Sequence, residues 1–282
     1  MEMIFSNARG SIKMDGGGGS APFKILAAEG LGYLTQNSSA ASYPFTGGQK
    51  TLSRSPGARL ITLSVEAAEG GANYEGTLAA IAHDGGRLEI SHGEKRVYAD
   101  CYVSNMNVTR AKGREYERYV LQFTCDYPYF RDSVPDSVSL FERKKLINGQ
   151  FTLPMVFSER ITEGTLTVRG DREVFPIISV RGLSYGEEFP LEIVSETTGA
   201  ALKLLLPAGE YELITFDLWN GRIYCGQNDL TKYLDEKSFM SEFYLVRGKN
   251  HIEIRAMDVS VNTAASVSFE NEYFSAWEDR DV

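Results

Sequence analysis

Alternation of apolar and polar positions, which is typical of half-buried β-strands, runs through most of the chain. In residues 59–65 the apolar side chains fall on one face, and residues 96–103 and 118–125 alternate in the same way. The apolar sets are Ile61, Leu63 and Val65 in the first segment, Val97, Ala99, Cys101 and Val103 in the second, and Tyr119, Leu121, Phe123 and Cys125 in the third. A polar stretch centred on Gly113 separates the last two. The pattern therefore predicts a long β-hairpin over residues 96–125.

One segment of the first half, residues 73–82, is predicted to be helical, because it precedes a turn at 83–86 whose glycines suit a helix C terminus. The glycine run at 16–20 has two interpretations, a loop that joins two N-terminal strands or an interdomain linker. The apolar segments on both sides favour the loop. Together these elements predict a β-barrel-like domain with one short helix over residues 1–132.

The composition changes between residues 130 and 157, where polar, proline-containing and charged stretches predict a domain boundary. Beyond it, turn signals separate short candidate strands at roughly 8–12-residue intervals, as in antiparallel sandwiches and jelly rolls. These candidates are 164–169, 174–180, 190–194, 201–206, 210–218, 222–225, 243–246, 250–257 and 266–269. The sequence thus predicts a mainly β protein whose second domain, residues 133–282, is an antiparallel β-sandwich.

Charge and cysteine content narrow the choice of partners. With 29 Lys and Arg against 38 Asp and Glu, the formal net charge is −9, so we expect no sequence-specific nucleic acid as a partner. No apolar run is long enough to span a membrane, and the N terminus lacks the pattern of a secretory signal. The widely spaced Cys101, Cys125 and Cys225 argue against a disulfide framework.

Residues suited to catalysis are scarce. A nucleophile needs a nearby base, and His83, His92 and His251 are all expected at the surface or in turns. Carboxylates in the second half would suit glycoside hydrolysis, but no spacing among them predicts a pair. They are Glu187, Glu188, Glu192, Glu210, Glu212 and Asp217. We therefore expect no enzyme, no cofactor and no metal site.

Aromatic side chains supply the candidate contact residues. Tyr98, Tyr102 and Tyr119 of the predicted hairpin are candidates for a subunit interface, where exposed aromatics are enriched. In the second half, Trp219 precedes the Asn220-Gly221 turn and Tyr224 follows it. Such an aromatic either stacks on a sugar ring or caps the core of the sandwich, and the core cap is the favoured interpretation.

Residues 120–130, with the sequence VLQFTCDYPYF, resemble the end of the N-terminal domain in distal tail proteins of phages with long, non-contractile tails. In that family a strand leads into a Cys, an acidic-Pro-aromatic turn and a closing Phe. The family's usual Cys-Pro-Asp-Pro is Cys125-Asp126-Tyr127-Pro128 here, so the first proline is missing. Residues 57–63 are similar to the family's Gly…Arg-x-Ile strand, and the hairpin at 96–125 has the expected place and length.

The second half resembles the galectin-like C-terminal domain of the same family in the order of its motifs. The matching positions are Gly170, Asp171, Glu173, 175–178, Val180 and Gly182, then 197–199, 202–204, Gly209, Glu210, Asn220 and Gly221, and finally Leu245, Gly248, Lys249, Asn250 and Ile252. The resemblance therefore covers nearly the whole chain.

This resemblance implies a structural role. In the family, N-terminal domains form a hexameric ring at the distal end of the tail tube, and C-terminal domains project outward. We therefore expect a homohexamer located at the virion tail tip and assembled in the host cytoplasm. Its expected partners are the tail tube protein, the tail-tip hub or tail-associated lysin, and receptor-binding proteins.

Two other functions compete with this one. The alternative is a binding module, an adhesin whose sandwich domain recognises a host saccharide through Trp219 and Tyr224. A β-sandwich glycosidase is disfavoured because no clear acid pair is present. The structural and the binding roles are compatible, since a hub can carry an additional sugar-binding domain.

Overall fold

The computed structural model describes residues 1–17, 21–43, 45, 47–67, 74–110, 117–140, 142–145, 158–161, 163–184, 190–207, 213–256 and 258–277. The chain forms two compact units, Met1–Ser133 with Tyr273–Val282, and Val134–Glu272. Residues 273–282 thus belong to the first unit, although the sequence placed them in the second domain. The reason is a set of backbone contacts, among them the hydrogen bond from the Ala276 nitrogen to the Leu31 oxygen at 2.9 Å.

The first unit contains ten strands and one helix in its described residues before Ser133. They are β1 (Glu2–Asn7), β2 (Gly10–Asp15), β3 (Phe23–Glu29), β4 (Gln36–Ser42), β5 (Gln49–Pro56), β6 (Arg59–Ala67), α1 (Tyr74–Ala82), β7 (Gly86–His92), β8 (Lys95–Arg110), β9 (Glu117–Cys125) and β10 (Phe130–Asp132). The predicted helix and the predicted hairpin strands are confirmed. The turn around Gly113 lies outside the described residues.

Seven of these strands close into a barrel. They pair in the order β8, β7, β1, β2, β3, β6, β9, and β9 pairs again with β8. Every pair is antiparallel except β2 with β3. Because β2 and β3 pair directly, the glycine run joins two strands of one barrel and the linker interpretation is wrong. Residues 18–20 of that run lie outside the described part of the chain.

Apolar side chains from all seven strands fill the barrel interior. The rings of Phe5 and Phe123 lie 5.3 Å apart near its centre, and Leu78 and Ile81 of α1 belong to the same core. Asn7 holds the end of this helix, since its side-chain amide donates to the Ile81 oxygen at 2.6 Å. The barrel is therefore a packed core rather than a pore, as expected for a barrel of about eight strands.

The second unit is an antiparallel sandwich. Its elements are β11 (Asp136–Ser139), β12 (Glu142–Lys145), β13 (Ser158–Ile161), β14 (Glu163–Val168), β15 (Ile177–Ser184), β16 (Leu191–Ser195), β17 (Ala201–Leu204), β18 (Leu213–Asp217), β19 (Arg222–Cys225), β20 (Asn228–Asp229), β21 (Gly248–Arg255) and β22 (Asp258–Phe269), and β23 (Glu272–Tyr273) lies where the chain returns to the first unit. A six-stranded sheet in the order β11-β22-β15-β18-β19-β20 and a four-stranded sheet in the order β14-β21-β16-β17 enclose one core. The predicted strand at 243–246 is reduced to a single bridge between Val174 and Leu245.

Arg59, at the start of β6, connects three segments of the first unit. Its Nε donates to the Pro128 oxygen at 2.6 Å, its Nη1 to the Gly30 and Gly32 oxygens at 2.7 and 2.8 Å, and its Nη2 to the Phe274 oxygen at 2.7 Å. Its guanidinium carbon also lies 4.2 Å from the centre of the Phe130 ring. Burial lowers the pKa of Arg59 to about 10, so the group is still charged at neutral pH.

We expect Arg59→Lys to destabilise the protein, since an ammonium group cannot reach carbonyls in three directions and leaves buried acceptors unpaired. The expected loss of unfolding free energy is about 3 kcal/mol, measured by urea denaturation. Arg54→Lys, at an exposed position of β5, is the control and should unfold like the parent. Equal stability of the two variants would contradict a structural role for the Arg59 guanidinium.

Gly30 and Gly32 both accept from Arg59, but only Gly30 lacks room for a side chain. Gly30 has φ +83°, and a Cβ there would lie 1.9 Å from the Leu60 oxygen, whereas a Cβ at Gly32 would meet nothing within 4 Å. Gly30→Ala should therefore lower the unfolding free energy by about 3 kcal/mol, and Gly32→Ala by about 0.5 kcal/mol or less. Urea denaturation distinguishes them, and similar losses would show that the approach of β6 to this loop is not as close as described.

Candidate functional site

Only one of the three candidate interface tyrosines is available to a partner. Tyr102 is 43% exposed on β8, whereas Tyr98 is 2% exposed and Tyr119 is fully buried. The expectation of an interface containing all three is therefore wrong for Tyr98 and Tyr119. Tyr119 faces the barrel interior, as its alternation with Leu121 and Phe123 indicates, and its ring lies edge-on to Phe23 at 5.9 Å.

Tyr98 faces away from the barrel core, yet its own unit covers it. The guanidinium carbons of Arg87 and Arg131 lie 3.7 and 4.7 Å from the centre of its ring. The carboxylate of Asp100 forms ion pairs with both arginines, which holds them over the ring. The two arginines come from β7 and β10, the strands on either side of β8, so alternation along β8 alone does not reveal this cover.

Strands β4 and β5 form an exposed arm, hereafter the β4–β5 arm (residues 36–56), which the sequence pattern did not predict. The two strands pair with each other in a separate two-stranded sheet, and every described side chain in them is exposed. Large apolar side chains lie on or near its tip, with Phe45 97% exposed and Tyr43 and Leu52 also exposed. A lone two-stranded hairpin is marginally stable in water, so the arm is the part of the first unit best suited to lie against another chain.

Two buried thiols lie next to each other where β8 meets β9. The register that pairs Tyr102 with Thr124 brings Cys101 beside Cys125, and Cys125 also lies opposite Arg59. The interaction between the two thiols raises the pKa of Cys101 and lowers that of Cys125, and burial adds to the rise at Cys101. Cys225, in the second unit, is only partly buried.

In the second unit, Tyr224 lines an open groove. Its volume is about 780 Å³, and Asp217, Asn220, Arg222, Ile223, Tyr224, Gly226, Gln227 and Asp229 line it. Trp219 lies in the turn between the lining residues Asp217 and Asn220 and is 42% exposed. The neighbouring Leu218 is buried in the core instead, so the interpretation of Trp219 as a core cap is not supported.

The other candidate residues form no catalytic arrangement among the described parts of the chain. Glu192 pairs with Arg255 at 3.7 Å, and His83, His92 and His251 are exposed as predicted. Glu187, Glu188, Glu210 and Glu212 lie outside the described residues. Within the described ranges, no three His, Cys, Asp or Glu side chains are grouped to hold a metal ion, and no helix has the length and apolarity needed to cross a membrane.

We expect Cys101 and Cys125 to resist thiol reagents in the native protein, because access rather than thiol acidity limits the reaction of buried groups. Intact mass after brief native labelling should show a single modification, at Cys225, and labelling in denaturant should show three. The Cys225→Ser variant serves as the control and should show none in the native state. Rapid native labelling of Cys101 and Cys125 would contradict the strand register.

Comparison with known proteins finds a relative by structure alone. No protein-family model matches the chain, and no curated protein does. The crystal structure of the Dit protein of phage SPP1, described as a paradigm of the hub adsorption apparatus in phages that infect Gram-positive bacteria, is 11% identical with a TM-score of 0.64, over 89% of this chain and 93% of that one. A chain from the baseplate of phage P2 in its activated conformation with calcium is 14% identical with a TM-score of 0.48, over 96% and 97%. The chain thus has the fold of the SPP1 Dit protein, which confirms at the level of the fold the resemblance to phage distal tail proteins.

Proposed function

We propose that this protein is a structural component of a phage tail tip, a distal tail protein that forms a hexameric ring and joins the tail tube to the tail-tip hub. The observation that carries the proposal is the fold shared with the SPP1 Dit protein, a hub protein, over 89% of the chain. The sequence motifs point to the same family independently of that comparison. The role is structural rather than enzymatic.

A ring requires each subunit to present two different surfaces that fit each other, so that the contacts close after a fixed number of copies. The β4–β5 arm supplies one of them, since its two strands pair with each other in a separate sheet and Phe45 near its tip is exposed. Tyr102, exposed on β8, is a candidate for the other surface. The expected interface thus moves from the three tyrosines to the arm and Tyr102.

The packed barrel determines where a passage for DNA lies in such a ring. Because apolar side chains fill the barrel, the passage runs between subunits and not through any one of them. The formal charge of −9 per chain keeps DNA from adhering to the assembly. The proposed neighbours are the tail tube protein, the tail-tip hub or tail-associated lysin, and receptor-binding proteins, in a virion assembled in the host cytoplasm.

The experiment that tests this proposal is the solution mass of the full chain, measured by light scattering and combined with negative-stain electron microscopy. We expect a mass near six chains and ring-shaped particles with a central opening. A monomer at concentrations up to tens of micromolar, or an open-ended polymer, would contradict the hexameric ring.

A matched pair of variants tests the arm. Phe45→Asp with Leu52→Asp places two charges on the arm and should raise the dissociation constant of the ring at least about 100-fold, since burying unpaired charge costs several kcal/mol. Its far-UV circular dichroism should still be that of a folded chain, because both side chains are exposed in the single chain. Phe239→Asp, at a 55% exposed position of the second unit, is the control and should leave the ring intact. Rings that survive the double substitution would show that the arm faces solvent.

A further inference from the structure

The thiols of Cys101 and Cys125 lie side by side inside the barrel, and no step of the tail-tip proposal uses them. Both belong to the barrel core, with Cys101 6% exposed and Cys125 fully buried. They lie on β8 and β9, the two strands whose pairing closes the barrel. The two residues are far apart in the sequence, so it is the strand pairing that brings them together.

The register of these strands determines how far apart the two cysteines are. Tyr102 pairs with Thr124, so the next pair in the same register is Cys101 with Cys125. Residues directly opposite each other in antiparallel strands have Cα atoms about 4.5 to 5.5 Å apart. A disulfide usually spans a Cα separation of about 4.4 to 6.8 Å. The backbone therefore already holds the two cysteines at a separation that a disulfide bridges.

The surroundings of the pair make its two thiols unequal in acidity. Cys125 lies opposite Arg59 of β6. The Cys101 thiol lowers the pKa of Cys125, and the charge of Arg59 lowers it further, whereas the pKa of Cys101 is raised. Cys125 therefore loses its proton first, while Cys101 keeps its own. A thiolate with a second thiol beside it is the arrangement from which an intramolecular disulfide forms.

The packing of the core favours a disulfide over other modifications of these thiols. Alkylating reagents and higher oxidation add atoms to a close-packed interior, which costs free energy. A disulfide adds no atoms and removes two hydrogens. Hydrogen peroxide is also close to water in size, so local openings of the barrel that exclude larger reagents admit it. Slow oxidation is therefore compatible with resistance to brief labelling.

We infer that Cys101 and Cys125 are an oxidation site, reduced when the chain is made and joined by a disulfide once the protein meets a peroxide. The Cys125 thiolate attacks one oxygen of hydrogen peroxide, the O–O bond breaks, and the departing hydroxide takes up the proton that Cys125 lost, which gives water and a sulfenic acid. The Cys101 sulfur then attacks the Cys125 sulfur, the S–O bond breaks, and the departing hydroxide takes the Cys101 proton. Two thiols and one peroxide thus become one disulfide and two waters, and the two electrons pass from sulfur to oxygen.

Such a bond would fasten the barrel at the place where its first and last strands meet. Thiols stay reduced in the cytoplasm, and disulfides persist outside it, so the bond forms after the protein leaves the cell that made it. The inference does not rest on the ring, because both cysteines and Arg59 lie within one chain.

The test uses the full-length protein, reduced, freed of reductant and treated with hydrogen peroxide under native conditions. Alkylation in denaturant then counts the remaining thiols. We expect the count to fall from three to one, and a peptide map without reductant to show Cys101 joined to Cys125. The midpoint of urea unfolding should rise by about 1 M, because the cross-link restricts the unfolded chain. Dithiothreitol should reverse both effects, whereas it does not reverse the oxidation of methionine that peroxide also causes.

Two variants separate this bond from other effects of peroxide. In Cys225→Ser the count should fall from two to none with the same cross-link, which excludes a bond to Cys225. In Cys101→Ala no intramolecular disulfide should form, and dithiothreitol should not change the urea midpoint after peroxide.

Four results would overturn the inference. They are a parent that keeps three thiols after prolonged oxidation, a cross-link that maps to Cys225, a cross-link that forms only in denaturant, and a bond between Cys101 and Cys125 that leaves the urea midpoint unchanged. None of them depends on the solution mass of the ring, so the two proposals are tested separately.

Discussion

Four backbone carbonyl groups from three separate segments converge on the guanidinium of Arg59, and the first unit depends on this contact. The loop at Gly30 and Gly32, the turn at Pro128 and the segment at Phe274 each contribute acceptors. An arginine suits this position because it has five donors in a fixed plane and keeps its proton when buried. The same contact explains why the chain returns to the barrel after the second unit: the segment at Phe274 satisfies a donor that is otherwise buried and unpaired.

The motifs that carry the family resemblance contain residues that fix close contacts of the backbone, as Arg59 does. Residues 57–63 contain Arg59, and residues 120–130 contain the Pro128 carbonyl and the Phe130 ring that it meets. In the second unit, a Cβ at Gly170 would lie 2.6 Å from the Glu272 oxygen, and the side chain of Asn250 closes the turn before β21 through hydrogen bonds to Val246 and Gly248. These positions determine turns and close approaches of the backbone. They therefore identify the fold, although the chain is only 11% identical to the SPP1 Dit protein, but they do not identify a binding partner.

Strands can be predicted from the sequence wherever one face is buried and the other is exposed to solvent, because apolar and polar residues then alternate along the strand. This alternation predicted β6, β8, β9 and most strands of the sandwich. The polar stretch centred on Gly113 was enough to predict that β8 and β9 pair as a hairpin. Burial by side chains from other strands produces no such alternation in the sequence. Tyr98 is covered by Arg87 and Arg131, and the segment at Phe274 is held by Arg59 from 215 positions away, so neither was predictable. The lining of the groove in the second unit was only half visible, since Tyr224 lies beside the Asn220-Gly221 turn but Asp229 joins it through strand pairing.

The β4–β5 arm is the opposite case, a pair of strands with no buried face and hence no alternation. Its strands are rich in Ser, with Ala and Gln, a composition that indicates a loop when it is examined alone. Within one chain such a hairpin gains little from burial, and its backbone bonds barely offset the entropy lost in ordering it. Phe45 and Leu52 of this hairpin are exposed in the single chain as well. The absence of alternation is therefore informative: it distinguishes this pair of strands, which has no buried face in the single chain, from the strands that build the two cores.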